Sequence, residues 1–229
     1  MSLPSLSWFL VLLLSFAIAF RGAFSEQRAS SSSESSSRPQ RSTVHLGRPS
    51  PDVGSVADGV YRNSAFGFSY KIPLGWVERT ADMSAESQSA EPGKSLVLLA
   101  IFERPPEAAG DTVNSAVIIA AESASSNPGL KTAADYFEPL TEAATSKGFK
   151  VVNEPYEFSP GSHSRVRGDF RKELGKLTMY QSSLAMLLRG YALSFTFIGG
   201  SEDEVEELIE SLSFAAAKPA SPAKSRHPH

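Results

Sequence analysis

His163 is the histidine with which a reactive site in the patterned part of this chain would have to be built. A nucleophilic triad would need it to join Ser162 or Ser164 to Asp169. Six residues of strand span about 20 Å, so His163 and Asp169 do not meet locally. A metal site pairing His163 with Glu157 lacks the third ligand that a specific zinc or manganese site requires. We therefore interpret His163 as a loop histidine and predict no catalytic residue, no metal and no cofactor.

A glycine pair precedes the last predicted helix. Gly199-Gly200 follows a strand pattern and leads into Ser201, an order that phosphate-binding loops also use. No P-loop lysine follows, and three acidic residues at 202–204 would repel a phosphate at the point where the helix dipole attracts it. The junction is therefore predicted to cap a helix.

The best candidate for a binding surface is a row of arginines in one predicted strand. The positions of Arg165, Arg167 and Arg171 differ by two and by four, and side chains alternate along a strand, so all three lie on one strand face. Such a face is a candidate anion or partner patch; the alternatives are a solvent-facing strand or a sheet edge protected by charge. We predict these three arginines as partner-binding residues.

Aromatic residues cluster near the start of the patterned region, at Tyr61, Phe66, Phe68, Tyr70 and Trp76. They could line a ligand pocket. Their period-two placement instead favours packed core, because aromatic side chains dominate burial energetics.

The elements that position these residues follow from hydrophobic periodicity. Strands are predicted at 66–72, 76–77, 95–102, 112–121, 149–158, 164–172, 177–188 and 191–197. A helix is predicted from Thr132 to Lys147, where Pro139 either kinks it or begins it anew. A second helix begins at Ser201, and Val205, Leu208, Ile209 and Leu212 form its apolar stripe. Short turns at 174–175 and 189–190 join antiparallel neighbours, so the fold class is an α+β domain with an antiparallel meander.

The run from Phe66 to Trp76, the mid-chain helix, the long meander and the acidic closing helix ending at Phe214 resemble the PsbP-like domain. The resemblance covers roughly Val60 to Phe214. It implies an antiparallel β-sheet with helices packed on both faces (an α/β/α sandwich), used in binding or assembly modules, and it supplies no catalytic motif.

Outside this domain the composition changes. An apolar run at 8–19 predicts that residues 1–25 are a signal peptide or N-terminal anchor. Residues 26–58 are Ser/Pro-rich and predicted to be a disordered linker, residues 59–214 form the domain, and residues 215–229 are a disordered basic tail. Lys and Arg number 14 and Asp and Glu 22 within 55–214, a net charge of −8, against 8 and 3 outside, a net charge of +5. An acidic body is a poor nucleic-acid binder.

The sequence thus predicts a non-enzymatic exported module, periplasmic or extracellular, that binds an unidentified protein partner, with membrane proximity through its N-terminal segment. Two alternatives remain open at this stage. One is a small-ligand or lipid carrier with a cavity between helix and sheet. The other is a hydrolase whose residues converge only in three dimensions.

Overall fold

The computed structural model describes residues 52–90, 95–159 and 164–215. Residues 1–25, most of the predicted linker, His163 and the basic tail beyond Ala215 lie outside these described residues. Within them, no helix combines the length and the apolarity needed to cross a membrane. The first strand, Ser55–Ala57, lies before residue 59, so the sheet structure begins earlier than the composition predicts.

Eleven strands and three α-helices are found in the described ranges. The strands are β1 (Ser55–Ala57), β2 (Val60–Asn63), β3 (Phe68–Lys71), β4 (Val77–Glu78), β5 (Ser95–Phe102), β6 (Ala116–Ser123), β7 (Lys150–Phe158), β8 (Arg165–Leu174), β9 (Leu177–Leu188), β10 (Tyr191–Gly199) and β11 (Leu212–Phe214). The helices are α1 (Thr80–Ala90), α2 (Phe137–Ser146) and α3 (Glu202–Glu210).

The strands form two antiparallel sheets. The large sheet has the order β4-β5-β6-β10-β9-β8-β7, and the small sheet has the order β1-β2-β3-β11. The α+β class with antiparallel strands is therefore confirmed. The second sheet is a difference from the prediction of one meander, because its strands have only three or four residues each and leave a weak periodic signal.

Two hydrophobic layers lie on opposite faces of the large sheet. One contains Met83 of α1 and Phe137 and Leu140 of α2. The other contains Val205 and Leu208 of α3, together with the aromatic residues of the small sheet. Helices therefore lie on both faces of the large sheet, as predicted.

The aromatic residues of the first predicted strand are core rather than pocket lining. Phe66, Phe68 and Tyr70 are all buried, and the Phe68 ring lies 5.2 Å from that of Phe195 in an edge-to-face arrangement. The Tyr70 hydroxyl donates to the Leu208 carbonyl oxygen at 3.1 Å, which joins the small sheet to α3. The choice of core over ligand pocket is thus supported.

The structure refines the two predicted helices and adds a third. Helix α2 begins at Phe137 after a short 3₁₀ turn, so Pro139 is its third residue, where an amide would have no partner within the helix anyway. Helix α3 ends at Glu210, and Leu212 belongs to β11 instead of the helical stripe. Helix α1 was not predicted, because its sequence alternates small and polar residues without an apolar stripe.

Candidate functional site

The arginine-bearing strand β8 lies inside the large sheet, between β7 and β9. Strand alternation sends Val166 and Phe170 into the layer beneath α2, and it sends Arg167 toward α3. Arg165 is only 4% exposed and Arg167 only 7% exposed, whereas Arg171 is exposed. The alternatives of a solvent-facing row and of a protected sheet edge therefore do not describe β8. Of the three predicted partner-binding residues, Arg171 is the one whose side chain a partner can reach directly.

Arg167 is the centre of a polar network that joins β8 to α3. Its Nε donates to Asp169 Oδ1 at 2.8 Å and one terminal nitrogen donates to Ser182 Oγ at 3.1 Å. Both terminal nitrogens donate to the carboxylate of Glu206, one of them at 3.1 Å. This fork-to-carboxylate geometry is the one that planar guanidinium groups favour. Arg167 therefore fastens the middle of α3 to the sheet.

The charges around Arg167 determine its ionisation. Burial by itself lowers the pKa of the Arg167 guanidinium, but the hydrogen bonds and charges of Glu206 and Asp169 outweigh burial and raise that pKa above its usual value. Arg167 is consequently a permanent cation. Two carboxylates, those of Asp169 and Glu206, contact this single cation, so the network carries a net negative charge.

The Asp169 carboxylate accepts hydrogen bonds from side chains on three strands. Besides Arg167, its carboxylate accepts hydrogen bonds from Ser182 Oγ on β9 and from Asn153 Nδ2 on β7, the latter at 3.0 Å. The Tyr156 hydroxyl lies 3.5 Å from the same carboxylate. Partial burial, followed by the negative charge of Asp169, raises the pKa of Tyr156. Asp169 is thus occupied as an acceptor and holds β7 against β8.

Arg165 has a different environment from Arg167. Its guanidinium lies over the Phe214 ring at 4.6 Å and over the Phe158 ring at 5.9 Å. Burial lowers the pKa of Arg165. Cation–π contacts of this kind hold a guanidinium over aromatic carbon. Arg165 therefore joins the end of β7 to the last strand of the small sheet.

A cleft of about 90 Å³, open to solvent, lies where α3 crosses β7, β8 and β9. Its lining includes the Arg167 network and the acidic residues Glu202 and Glu206 of α3. On the edge strand β7, Val152, which lines the cleft, and Tyr156, which lies beside it, are 41% and 40% exposed. The cleft thus combines a charged floor with an exposed apolar rim, an arrangement suited to recognising a partner surface.

The start of α3 is capped by the chain itself. Ser201 Oγ accepts from the Glu204 amide at 3.1 Å, and the Glu204 carboxylate accepts from the Gly200 amide at 2.8 Å and from the Ser115 hydroxyl. A carboxylate therefore lies where a phosphate would bind. The prediction of a capping junction is confirmed.

The interpretation of His163 as a loop histidine concerns a position outside the described residues, as do all four histidines of the chain: His45, His163, His227 and His229. Within the described ranges, no group of three His, Cys, Asp or Glu side chains is arranged to hold a metal ion. Asp169, the carboxylate considered for a triad, is engaged by Arg167 and Ser182.

Four residues of the network were missed as site residues by the sequence reasoning: Asn153, Tyr156, Ser182 and Glu206. Asp169 was considered only as a triad member. The pairing register places Asp169 opposite both Asn153 and Ser182. A signal for part of this existed, since a buried-pattern strand with alternating Arg167 and Asp169 predicts an internal ion pair. Glu206 comes from a helix 39 residues away, and no local pattern indicates that contact.

Comparison with known proteins finds similarity at the level of structure alone. No family model matches the chain, and no curated protein matches it. The solution structure of cyanobacterial PsbP (CyanoP) from Synechocystis is 19% identical, covering 71% of this chain and 96% of that one, with a TM-score of 0.44. The yeast Ran-binding protein Mog1p is 10% identical, covering 66% and 91%, with a TM-score of 0.37. LpqN of Mycobacterium tuberculosis, involved in cell envelope biogenesis, is 15% identical, covering 73% and 82%, with a TM-score of 0.36.

Proposed function

We propose that this chain is a non-enzymatic binding or assembly module with a PsbP-like domain, exported or tethered to a membrane through residues 1–25. The observation that carries the proposal is the cleft between α3 and the β7 edge. Arg167, Asp169 and Glu206 in its lining satisfy one another, while Val152 and Tyr156 remain exposed nearby. Ionised groups that are already paired with one another are poorly placed to exchange protons with a substrate, so this cleft suits recognition of a partner better than catalysis.

The apolar run at 8–19 supports export, because a segment of that length followed by small residues is typical of a signal peptide. The acidic body supports a protein partner over a nucleic acid. The predicted roles of Arg165 and Arg167 are refined in this proposal: they position the cleft through Phe214 and Glu206, while Arg171 is available to touch a partner.

The test is crosslinking in the native host followed by capture of the full chain with its crosslinked partner. The amount of partner captured is compared between the Val152→Asp and Val56→Asp variants. Both valines are 41% exposed and both lie on edge strands, Val152 in the large sheet and Val56 in the small sheet. We expect the change at Val152 to reduce partner capture and the change at Val56 to leave it intact. Equal capture by both variants would contradict the proposed surface. Cell fractionation before capture tests the proposed export. Cytoplasmic protein with an intact N-terminus would contradict it.

A second candidate is binding of a small ligand in the same cleft, favoured by the convergence of polar side chains from α3, β8 and β9 on one concave surface. The polar lining around Arg167 and Asp169 suits a polar ligand better than an acyl chain. Native mass spectrometry of the purified protein distinguishes the two functions. A reproducible added mass supports ligand binding in the cleft, and a spectrum without an added mass argues against it.

A further inference from the structure

A row of polar side chains interrupts the hydrophobic layer beneath α2. Gln181 and Ser183 on β9 and Ser194 and Thr196 on β10 are all buried, and we define these four residues as the polar seam. Thr196 lies directly opposite Ser183 in the register of the two strands. Alternation along β10 places Phe195 in the layer beneath α3, so Ser194 and Thr196 face the layer beneath α2. Buried polar groups of this kind need hydrogen-bond partners, because burying them without one is unfavourable.

The Gln181 side chain points into the same layer. Its neighbour in register on β8, Phe170, belongs to that layer, whereas the next residue along β9, Ser182, bonds to Asp169 on the α3 face. Gln181 is also among the residues that border the cleft, but its side chain leaves the opposite face of β9. The polar seam is therefore an interior feature, separate from the cleft.

The protein satisfies only part of the Gln181 amide. This side chain belongs to a residue that is 2% exposed, and its Nε2 donates to Ser183 Oγ at 3.2 Å. Its Oε1 is buried and accepts no hydrogen bond from the part of the chain that the structure describes. An amide oxygen has two lone pairs that can accept, and leaving it buried without a donor carries the full cost of removing it from water.

Another buried side-chain amide shows how this fold satisfies such a group. Asn63 is also buried, and its Nδ2 donates to the Asp52 carbonyl oxygen at 3.1 Å and to the Tyr61 hydroxyl at 3.0 Å. Its Oδ1 accepts from the Phe66 amide at 2.9 Å. Both ends of the Asn63 amide are thus bonded within the protein, whereas the oxygen of Gln181 lacks a protein donor. This difference indicates a donor from outside the chain.

The surroundings of Gln181 Oε1 define the chemistry of that donor. The residues beside Gln181 on the neighbouring strands, Phe170 and Ile198, are buried and apolar. The seam itself carries no charge, so a charged group would lose its hydration there without gaining a counter-charge. A neutral hydroxyl can donate to Oε1, and the Ser183 and Thr196 hydroxyls of the seam can each donate or accept. A hydroxyl group therefore fits the seam, whereas an ammonium group or a carboxylate does not.

We infer that the polar seam binds a hydroxyl group that donates a hydrogen bond to Gln181 Oε1. The source of this hydroxyl is a buried water molecule or a small organic ligand held between α2 and the large sheet, and the chemistry at Gln181 is the same for both. The inference goes beyond the proposed function and does not depend on it, because the seam and the cleft lie on opposite faces of the large sheet.

Relaxation dispersion of the water oxygen-17 nucleus tests for water, because it counts the water molecules that a protein holds inside in solution. The full chain is compared with Gln181→Leu, which removes the amide oxygen, and with Gln88→Leu, which makes the same change at an exposed glutamine of α1. The count should fall by about one water molecule in Gln181→Leu and stay unchanged in Gln88→Leu. Gln181→Met also lacks the acceptor and takes the place of Gln181→Leu if that variant does not fold.

Native mass spectrometry of the same samples tests for an organic ligand. A hydroxyl-bearing ligand in the seam should appear as an added mass on the full chain that is lost in Gln181→Leu and kept in Gln88→Leu. If Gln181→Leu changes neither the water count nor an added mass, the inference is overturned, and an added mass that persists in that variant belongs to a site elsewhere. Partner capture is measured separately, so a failure of the proposed function would leave the result at the seam unaffected.

Discussion

The Arg167→Met substitution removes a buried cation while keeping a side chain of similar length. The Arg167 side chain is 9% exposed and that of Asp169 10%, whereas that of Glu206 is 50% exposed. After the change, Glu206 turns to solvent. Asp169 stays buried, keeping its hydrogen bonds from Ser182 and Asn153 but losing its cation.

The magnitude follows from this asymmetry. Removing one member of a buried ion pair costs about 3–5 kcal/mol, because the remaining charge is left uncompensated. Asp169 retains two neutral donors, so we expect about 3 kcal/mol, at the lower end. Glu206→Gln removes the solvated partner and should cost about 1 kcal/mol, as for a partly exposed charged pair.

Urea unfolding followed by Trp76 fluorescence measures these changes, since Trp76 packs against the layer that contains α3. Asp169→Asn completes a double-mutant cycle. Residues that share a network couple by about 0.5–3 kcal/mol, so Asp169→Asn should cost at least about 1 kcal/mol less in the Arg167→Met background than alone. Additive effects, or a cost of Arg167→Met below about 1 kcal/mol, would refute the buried Arg167–Asp169 pair as a stabilising contact.

The remaining predictions concern packing and alkaline pH. A Cβ at Gly168 would lie 2.8 Å from Cε1 of Phe137, so Gly168→Ala should lower the free energy of unfolding by about 1–3 kcal/mol, whereas Gly129→Ala, with nothing within 4 Å, should change it little. Equal effects of the two changes in urea unfolding would be inconsistent with this contact. Burial raises the pKa of Tyr61 from 10.0 to about 12 and also raises that of Tyr70. Because the folded state favours the neutral phenol, the free energy of unfolding should be unaffected below pH 10 and fall as pH rises from 10 through about 12; a urea midpoint constant across that range would contradict it.

Local patterns in the sequence predicted most of the large sheet and the start of α3. The strand at 177–188 was predicted with its observed bounds, because the Arg189-Gly190 pair that follows it forms a tight turn, with φ of 54° and 82°. The serine cap of α3 was readable for a similar reason, since capping depends on residues within one turn of each other. These features depend on near neighbours in the chain.

The sequence predicted the candidate site only in part. The spacing of Arg165 and Arg167 placed them on one strand face, but the same spacing suits an exposed row and an internal ion-pair network equally well. Their burial depends on α3 for Arg167 and on Phe214 for Arg165, both distant in the sequence.

By itself, the sequence determined the class of fold, the acidic character of the body and the opposite charge of the basic tail, because periodicity and composition are local properties that survive without contacts. The tertiary structure alone decided which arginines are buried, where the cleft opens and which polar side chains lie in the layer beneath α2. The physical reason is that the free energy of a charged side chain depends on the burial and the partners it acquires when distant elements pack together.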